Sequence, residues 1–227
     1  MDVPRVDPWV VLDRALPIAY EGRDVYDVLR DELQDHFSVG TIQIGGRLCN
    51  ERRMTCYFTL DNKAVMRYSG RELTPIPPPR GSYLHILMVM VNDSEFRTQL
   101  AKMNPRLKDI LPQFNAVFCN HYRRPDQTDK PDSLGPHSDD ETDLASDVIL
   151  SFTYCEENGE KIFKFHEKFG STKTIAEFEL KNGSVLVMMP GCQRLCKHSV
   201  SDRITNLNGK RITGARINLT FRCIKTK

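Results

Sequence analysis

The chain has 227 residues, 40% of them hydrophobic and 27% charged, and its 32 lysines and arginines against 30 aspartates and glutamates leave a net charge of +2. That length suits one domain able to bury a core without disulfide staples, and the composition excludes disordered and fibrous classes. The longest unbroken apolar run, Ile86 to Val91, is six residues, far short of the roughly 20 that a bilayer-spanning helix needs.

Met1 to Asp7 shows no basic stretch followed by an apolar block, so a secretory leader is not expected. Seven cysteines, spread from Cys49 to Cys223, fit a reducing compartment better than a disulfide framework; the expected location is intracellular, nuclear or cytoplasmic. Asp24 to Phe37 reads as an amphipathic helix with Val25, Leu29, Leu33 and Phe37 along one face. Thr41 to Tyr68 alternates polar and apolar residues around a turn at Asp61-Asn62, which predicts a strand pair or hairpin rich in arginine and aromatics. Pro75-Ile76-Pro77-Pro78-Pro79 breaks regular structure and marks a boundary between residues 1–80 and 81–227 within one structural domain. Tyr83 to Val91 is a buried helix or a buried strand, which periodicity does not decide, and Ser94 to Met103 is helical. Short β-type runs follow at Ala116–Tyr122, Val148–Cys155, Lys161–Phe165, Ile175–Leu180, Val185–Met189 and Ala215–Ile224, with turn signals at Asn158-Gly159 and Asn182-Gly183. Helices first and an all-β core after them give an α+β chain with a sandwich or jelly roll.

Charge is segregated along the chain. Arg47 to Arg80 carries seven basic residues against three acidic, and Arg194 to Lys227 nine against one, so both are candidate anion-facing surfaces or solvated faces. Asp126 to Asp147 holds eight acidic residues and a single lysine, the pattern of a solvated loop or of a cation site. Within it lies His137-Ser138-Asp139-Asp140-Glu141. In an extended segment His137, Asp139 and Glu141 share a face, so an imidazole and a carboxylate converge. A second histidine would complete a facial triad that leaves metal positions open. His198 is a candidate, although Cys192, Cys196 and His198 also offer zinc ligands. In the last strand Ile217, Leu219, Phe221 and Cys223 line one face and Arg216, Asn218, Thr220 and Arg222 the other. That second row suits a half-exposed strand, or a small dicarboxylate gripped by guanidinium groups.

Taken together, Asn120-x-Tyr122, His137-x-Asp139-x-Glu141, His198 and Arg216-x-Asn218-Leu219-Thr220-Phe221-Arg222 resemble the signature of AlkB-type Fe(II)/2-oxoglutarate-dependent dioxygenases, a nucleic-acid demethylase family, from roughly Arg53 to Arg222. The resemblance implies a double-stranded β-helix (jelly roll) core with N-terminal helices and a hairpin-like substrate lid. It implies that His137, Asp139 and His198 ligate Fe(II). Asn120, Tyr122, Arg216, Asn218 and Arg222, with Thr220 on the same strand face, would hold 2-oxoglutarate, and O2 is the third reactant. Met54 to Ser69 resembles the nucleotide-recognition lid, which puts Met54, Tyr57 and Tyr68 near the substrate and gives Arg47, Arg52, Arg53, Arg67 and Arg71 a strand to bind. Glu141 falls where the family has an acidic residue close to the base. Lys161-Ile162-Phe163 departs from the Arg-x-Phe of many relatives at a substrate position, and Tyr154-Cys155 replaces a glycine-containing turn. The implied activity is demethylation of N-alkylated bases in single-stranded or flipped-out DNA or RNA by a monomer with no membrane association. A 2-oxoglutarate oxygenase of a protein or lipid-like substrate and a non-catalytic jelly-roll binding module are the alternatives.

Overall fold

The computed structural model describes residues 7–44, 46–61, 63–68, 70–169, 173–202 and 214–226. In chain order its elements are β1 (Trp9–Leu12), β2 (Ala19–Tyr20), β3 (Arg23–Asp24), α1 (Val25–Leu33), β4 (Ser38–Ile44), β5 (Arg47–Thr59), β6 (Met66–Tyr68), β7 (Arg71–Leu73), α2 (Tyr83–Met90), α3 (Ser94–Met103), β8 (Ala116–Tyr122), β9 (Leu134–His137), β10 (Ile149–Cys155), β11 (Lys161–Glu167), β12 (Thr174–Leu180), β13 (Ser184–Met188), α4 (Cys192–Leu195), β14 (Cys196–Asp202) and β15 (Arg216–Arg222). Seven strands make a major sheet in the order β1-β13-β10-β15-β8-β5-β4, and four make a minor sheet in the order β12-β11-β14-β9. Trp9 of the major sheet stacks on Phe165 of the minor one at 4.2 Å, within an apolar cluster that also takes in Ile149, Leu186, Phe163 and Val200. Two facing antiparallel sheets with helices on one outer face form an α+β jelly roll.

The helices cover the outer face of the major sheet. The Asp24 carboxylate caps α1 by accepting the Tyr26 N–H at 2.7 Å. Val25, Leu29 and Leu33 of that helix pack with Leu84 and Leu87 of α2 and with Cys119, Ile217 and Leu219 of the sheet. Each such side chain, fully buried, contributes roughly 1.5–3 kcal/mol relative to exposure. Phe37, the fourth member of the predicted stripe, joins this core from beyond the end of the helix. The ambiguous run at Tyr83 is a helix: Ser82 Oγ accepts the His85 N–H, and the Glu32 carboxylate from α1 accepts the N–H groups of Tyr83 and Leu84 at 2.7 and 3.2 Å.

Two expectations are corrected. Strands precede the helices, and the chain before residue 81 supplies both edges of the major sheet, β1 at one side and β4–β5 at the other. The predicted hairpin turns earlier than Asp61-Asn62: the chain reverses between Ile44 and Arg47, with Gly46 at φ +81°, a conformation that glycine adopts without strain. Asp61 instead accepts the N–H groups of Lys63 and Ala64 after the end of β5, while Asn62 and Ser69 lie outside the described residues.

Candidate metal centre

His137 ends β9 and pairs in register with His198 of β14, so the two rings meet across the minor sheet with centroids 4.2 Å apart. Asp139 follows two residues later. Its N–H donates to Gln193 Oε1 at 2.9 Å, and Ser138 Oγ donates to the Cys196 carbonyl at 2.9 Å, which pins the segment over β14. The ligand atoms of His137, Asp139 and His198 all lie within 4.8 Å of one another, the one such group of histidine, cysteine or carboxylate side chains among the described residues. Cys192 and Cys196 pack instead in the apolar layer between the sheets. His137 Nδ1 sits 2.9 Å from the Gly135 carbonyl; donating its proton there leaves Nε2 with a lone pair for a metal.

The electrostatics keep the set in its ligating form. Burial would push the Asp139 carboxyl up, yet the Arg222 guanidinium at 2.9 Å and the two histidines hold it well below the usual carboxylate range. Burial, with His137 beside it, brings the His198 imidazole down to about 3, so its ring is neutral. His198 also stacks on Phe163 at 5.4 Å.

Facing these residues is the polar row of β15. All of Arg216 to Arg222 is buried, because the helices cover one side of the strand and the minor sheet covers the other. Asn218 Nδ2 donates to Ser151 Oγ at 2.7 Å and to the Phe152 carbonyl at 2.8 Å, while its Oδ1 accepts from Thr220 Oγ1 at 3.0 Å and from Asn120 Nδ2 at 3.4 Å. Arg222 and this amide shelf wall one cavity together with His137, Asp139, His198, Tyr122 and Tyr68. Arg216 stands at the far end of the row, 5.3 Å from the Tyr122 ring, and donates to Thr153 Oγ1 at 3.0 Å.

The expected substrate residues are dispersed. Tyr68 reaches the cavity. Tyr57 lies on the same side of β5 but donates to the Ala64 carbonyl at 2.6 Å and packs with Met66 and Phe118. Met54 is on the opposite face of the strand, against the helix-side core. Lys161 is buried on the same inward face of β11 as Phe163, its ammonium 5.9 Å from the Tyr122 ring, and it lies further along the strand from His198, on which Phe163 stacks. Glu141 opens with Asp139, Lys168 and Gln193 onto a neighbouring cleft, its carboxyl pushed up to about 6 by burial and the Asp139 charge. Of the five lid arginines, Arg47, Arg52 and Arg67 are exposed. Arg71 is ion-paired with buried Glu51, and Arg53 is 2% exposed in the cavity wall. Arg53, Glu51, Ser151 and Gln193 are not singled out as co-substrate or metal-centre residues by the sequence, where the alternation Glu51-Arg53-Thr55 reads as a polar strand face.

Residues 27–222 match the family model of the 2OG-Fe(II) oxygenase superfamily. The chain belongs to this superfamily. The oxygenase is 27% identical over 209 residues to the DNA oxidative demethylase ALKBH2 of Arabidopsis thaliana, covering 81% of this chain and 57% of that protein. It is 30% identical over 146 residues to the RNA replication protein of Indian citrus ringspot virus, covering 64% of this chain and 7% of that protein. It thus spans little more than half of one relative and a small part of the other. A solved structure, "The structure of OsALKBH1", shares the fold with a TM-score of 0.56 over 95% of this chain and 97% of that one, at 21% identity. The likenesses to ALKBH2 and OsALKBH1 are of the AlkB type.

Membership of the superfamily implies Fe(II) and 2-oxoglutarate as the groups this site would hold. The residues fit these groups. Two imidazoles and one carboxylate suit a non-haem Fe(II) with open positions, and Asp139 Oδ1 is buried without a hydrogen bond. Arg216 Nε and Nη1 and Arg222 Nε are likewise buried donors without an acceptor, which a dicarboxylate supplies. Among the described residues no helix is long and apolar enough to cross a membrane.

Proposed function

We propose that this oxygenase is an oxidative demethylase of N-alkylated bases, such as N1-methyladenine and N3-methylcytosine, in DNA or RNA, and that it acts as a monomer. The observation that carries the reading is a single cavity with His137, Asp139 and His198 on one wall, Arg222 and the Asn120–Asn218 shelf on the other, and Tyr68 of the β6–β7 hairpin at its edge. When bound, Fe(II) with 2-oxoglutarate and O2 supplies the oxidation of a C–H bond, the co-substrate ending as succinate and CO2. The chain's own part is placement. His137, Asp139 and His198 would occupy one face of the ion. Arg222 would receive the carboxylate nearest the metal, and Arg216, 5.3 Å from the Tyr122 ring, the distal one. Phe118, Phe163 and Val200 would keep water from the reacting methyl. A hydroxylated N-methyl group then falls apart to formaldehyde and the free base.

A ligand pair as buried as Asp139 and His198, 2% and 5% exposed, is out of reach of a base inside a duplex, so the nucleotide would be flipped out or already single-stranded. Exposed Arg47, Arg52 and Arg67 supply phosphate contacts at the lid, and Arg67 adjoins Tyr68 on the same short strand. The name of the plant relative supports DNA as substrate and that of the viral relative keeps RNA in view. The test is mass spectrometry of DNA and RNA oligonucleotides carrying the two methylated bases, incubated with protein, Fe(II), 2-oxoglutarate and oxygen, with His137→Ala as control. Loss of the methyl group only with the intact protein is expected. Consumption of 2-oxoglutarate with every oligonucleotide unchanged would overturn the nucleic-acid reading and leave the oxygenase.

A further inference from the structure

We propose that Arg53 is a positioning residue for the co-substrate, fixing the Asn120 side chain so that its NH2 group, rather than its carbonyl, is presented to a carboxylate in the cavity. The inference rests on the reading of the Asn120–Asn218 shelf as a 2-oxoglutarate site and names the residue on which that shelf depends. Arg53 Nε donates to Asn120 Oδ1 at 2.6 Å. A guanidinium has donors only, so whichever end of the amide faces it is the oxygen, and the charge makes the bond strong enough to decide the matter. The nitrogen end is left to Asn218 Oδ1 at 3.4 Å, a long contact that occupies it weakly. Asn218 needs no such help, since Ser151 Oγ and the Phe152 carbonyl already take its NH2 protons. Asn120 has one short hydrogen bond, from Arg53, beside its long contact to Asn218, so Arg53 is the stronger of the two neighbours that orient it. Released from Arg53, it keeps only the long contact to Asn218 and no longer holds its NH2 group firmly toward the incoming carboxylate.

Besides Asn120, two groups hold that guanidinium. Arg53 Nη2 donates to Tyr68 Oη at 2.7 Å and lies 3.1 Å from Glu51 Oε1. The other oxygen of Glu51 accepts from Arg71 Nη2 at 2.7 Å. The pair needs room in β4, and Gly40, at an irregularity of the β4–β5 ladder, provides it: a Cβ there would collide with both the Arg71 guanidinium and the Glu51 carboxylate. Tyr68 and Arg71 belong to the two lid strands, so the hairpin over the cavity and the amide on its floor share one anchor.

The test uses the full chain loaded with Mn(II) in place of Fe(II), so that 2-oxoglutarate binds without turnover and calorimetric titration reads its Kd. Native protein, Arg53→Lys, Asn120→Ala and the double variant form a cycle. Arg53→Lys is expected to weaken 2-oxoglutarate about tenfold in the native background and to add nothing when Asn120 is already alanine. An equal loss in both backgrounds, or none in either, overturns the positioning role. An unchanged Kd in Asn120→Ala overturns the reading of the shelf itself, whatever Arg53 does. Should Arg53→Lys fail to fold, Glu51→Gln carries the same cycle: it keeps the shape and loosens Arg53, and is expected to weaken binding about threefold through Asn120 alone.

Discussion

Arg216 shows how much one residue depends on surroundings a sequence leaves open. A guanidinium 1% exposed is costly to bury, and here Nη2 donates to Thr153 Oγ1 while Nε and Nη1 have no acceptor. A guanidinium holds several charged donors at fixed angles around one plane, which the point charge of lysine cannot reproduce. Arg216→Lys is therefore expected to raise the 2-oxoglutarate KM by tenfold or more, about 1.4 kcal/mol or above, with a smaller change in kcat. Uncoupled 2-oxoglutarate turnover at varied co-substrate checks it, and an unchanged KM would remove Arg216 from the site.

At the scale of elements, β8 carries opposite chemistry on its two faces. Asn120 and Tyr122 face the cavity, while Cys119 and His121 face the helices, where His121 Nε2 lies 3.2 Å from the Tyr26 hydroxyl of α1 and its ring 5.2 Å from Phe37. Burial brings the His121 imidazole down from an ordinary 6.5 to about 4. The folded protein thus resists a proton that the unfolded chain accepts. Stability from this group is complete above pH 6.5 and is lost as the pH falls toward 4. His121→Leu is expected to flatten that decline by on the order of 2 kcal/mol, read from urea midpoints at pH 7.5 and 5. Leu29 of α1, fully buried against the same sheet, gives the complementary prediction. Leu29→Ala is expected to cost about 3 kcal/mol in the same urea assay while leaving metal binding intact, because it opens a cavity on the face away from the site.

For the whole molecule, the centre joins parts far apart in the chain. His137 and His198 come from the minor sheet, Arg222 from the major one and Tyr68 from the hairpin. A ligand gripped by all of them ties the layers together and stabilises only the folded state. Mn(II) with 2-oxoglutarate at about a hundred times the Kd is expected to add about 2.7 kcal/mol. Thermal unfolding would show the shift in the native protein and its loss in Asp139→Ala.

The sequence by itself determined the elements whose pattern is local. The α1 stripe, the strand runs from Ala116 onward and the alternation of β15 follow from side-chain period alone, and the His-x-Asp and Arg-x-Asn-Leu-Thr-x-Arg spacings were legible because strand geometry sets them. Tertiary structure decided the rest. The eight residues of α2 are too short and too uniformly apolar for a period to tell helix from strand, and Glu32 from another helix settles it by capping. The row Arg216 to Arg222 reads equally as a half-exposed strand until a second sheet closes over it. Arg53 looked like a surface charge because nothing local announces Glu51, Tyr68, Arg71 and Asn120 meeting around it, and a buried charge is stable only where such partners, distant in sequence, are brought together by the fold.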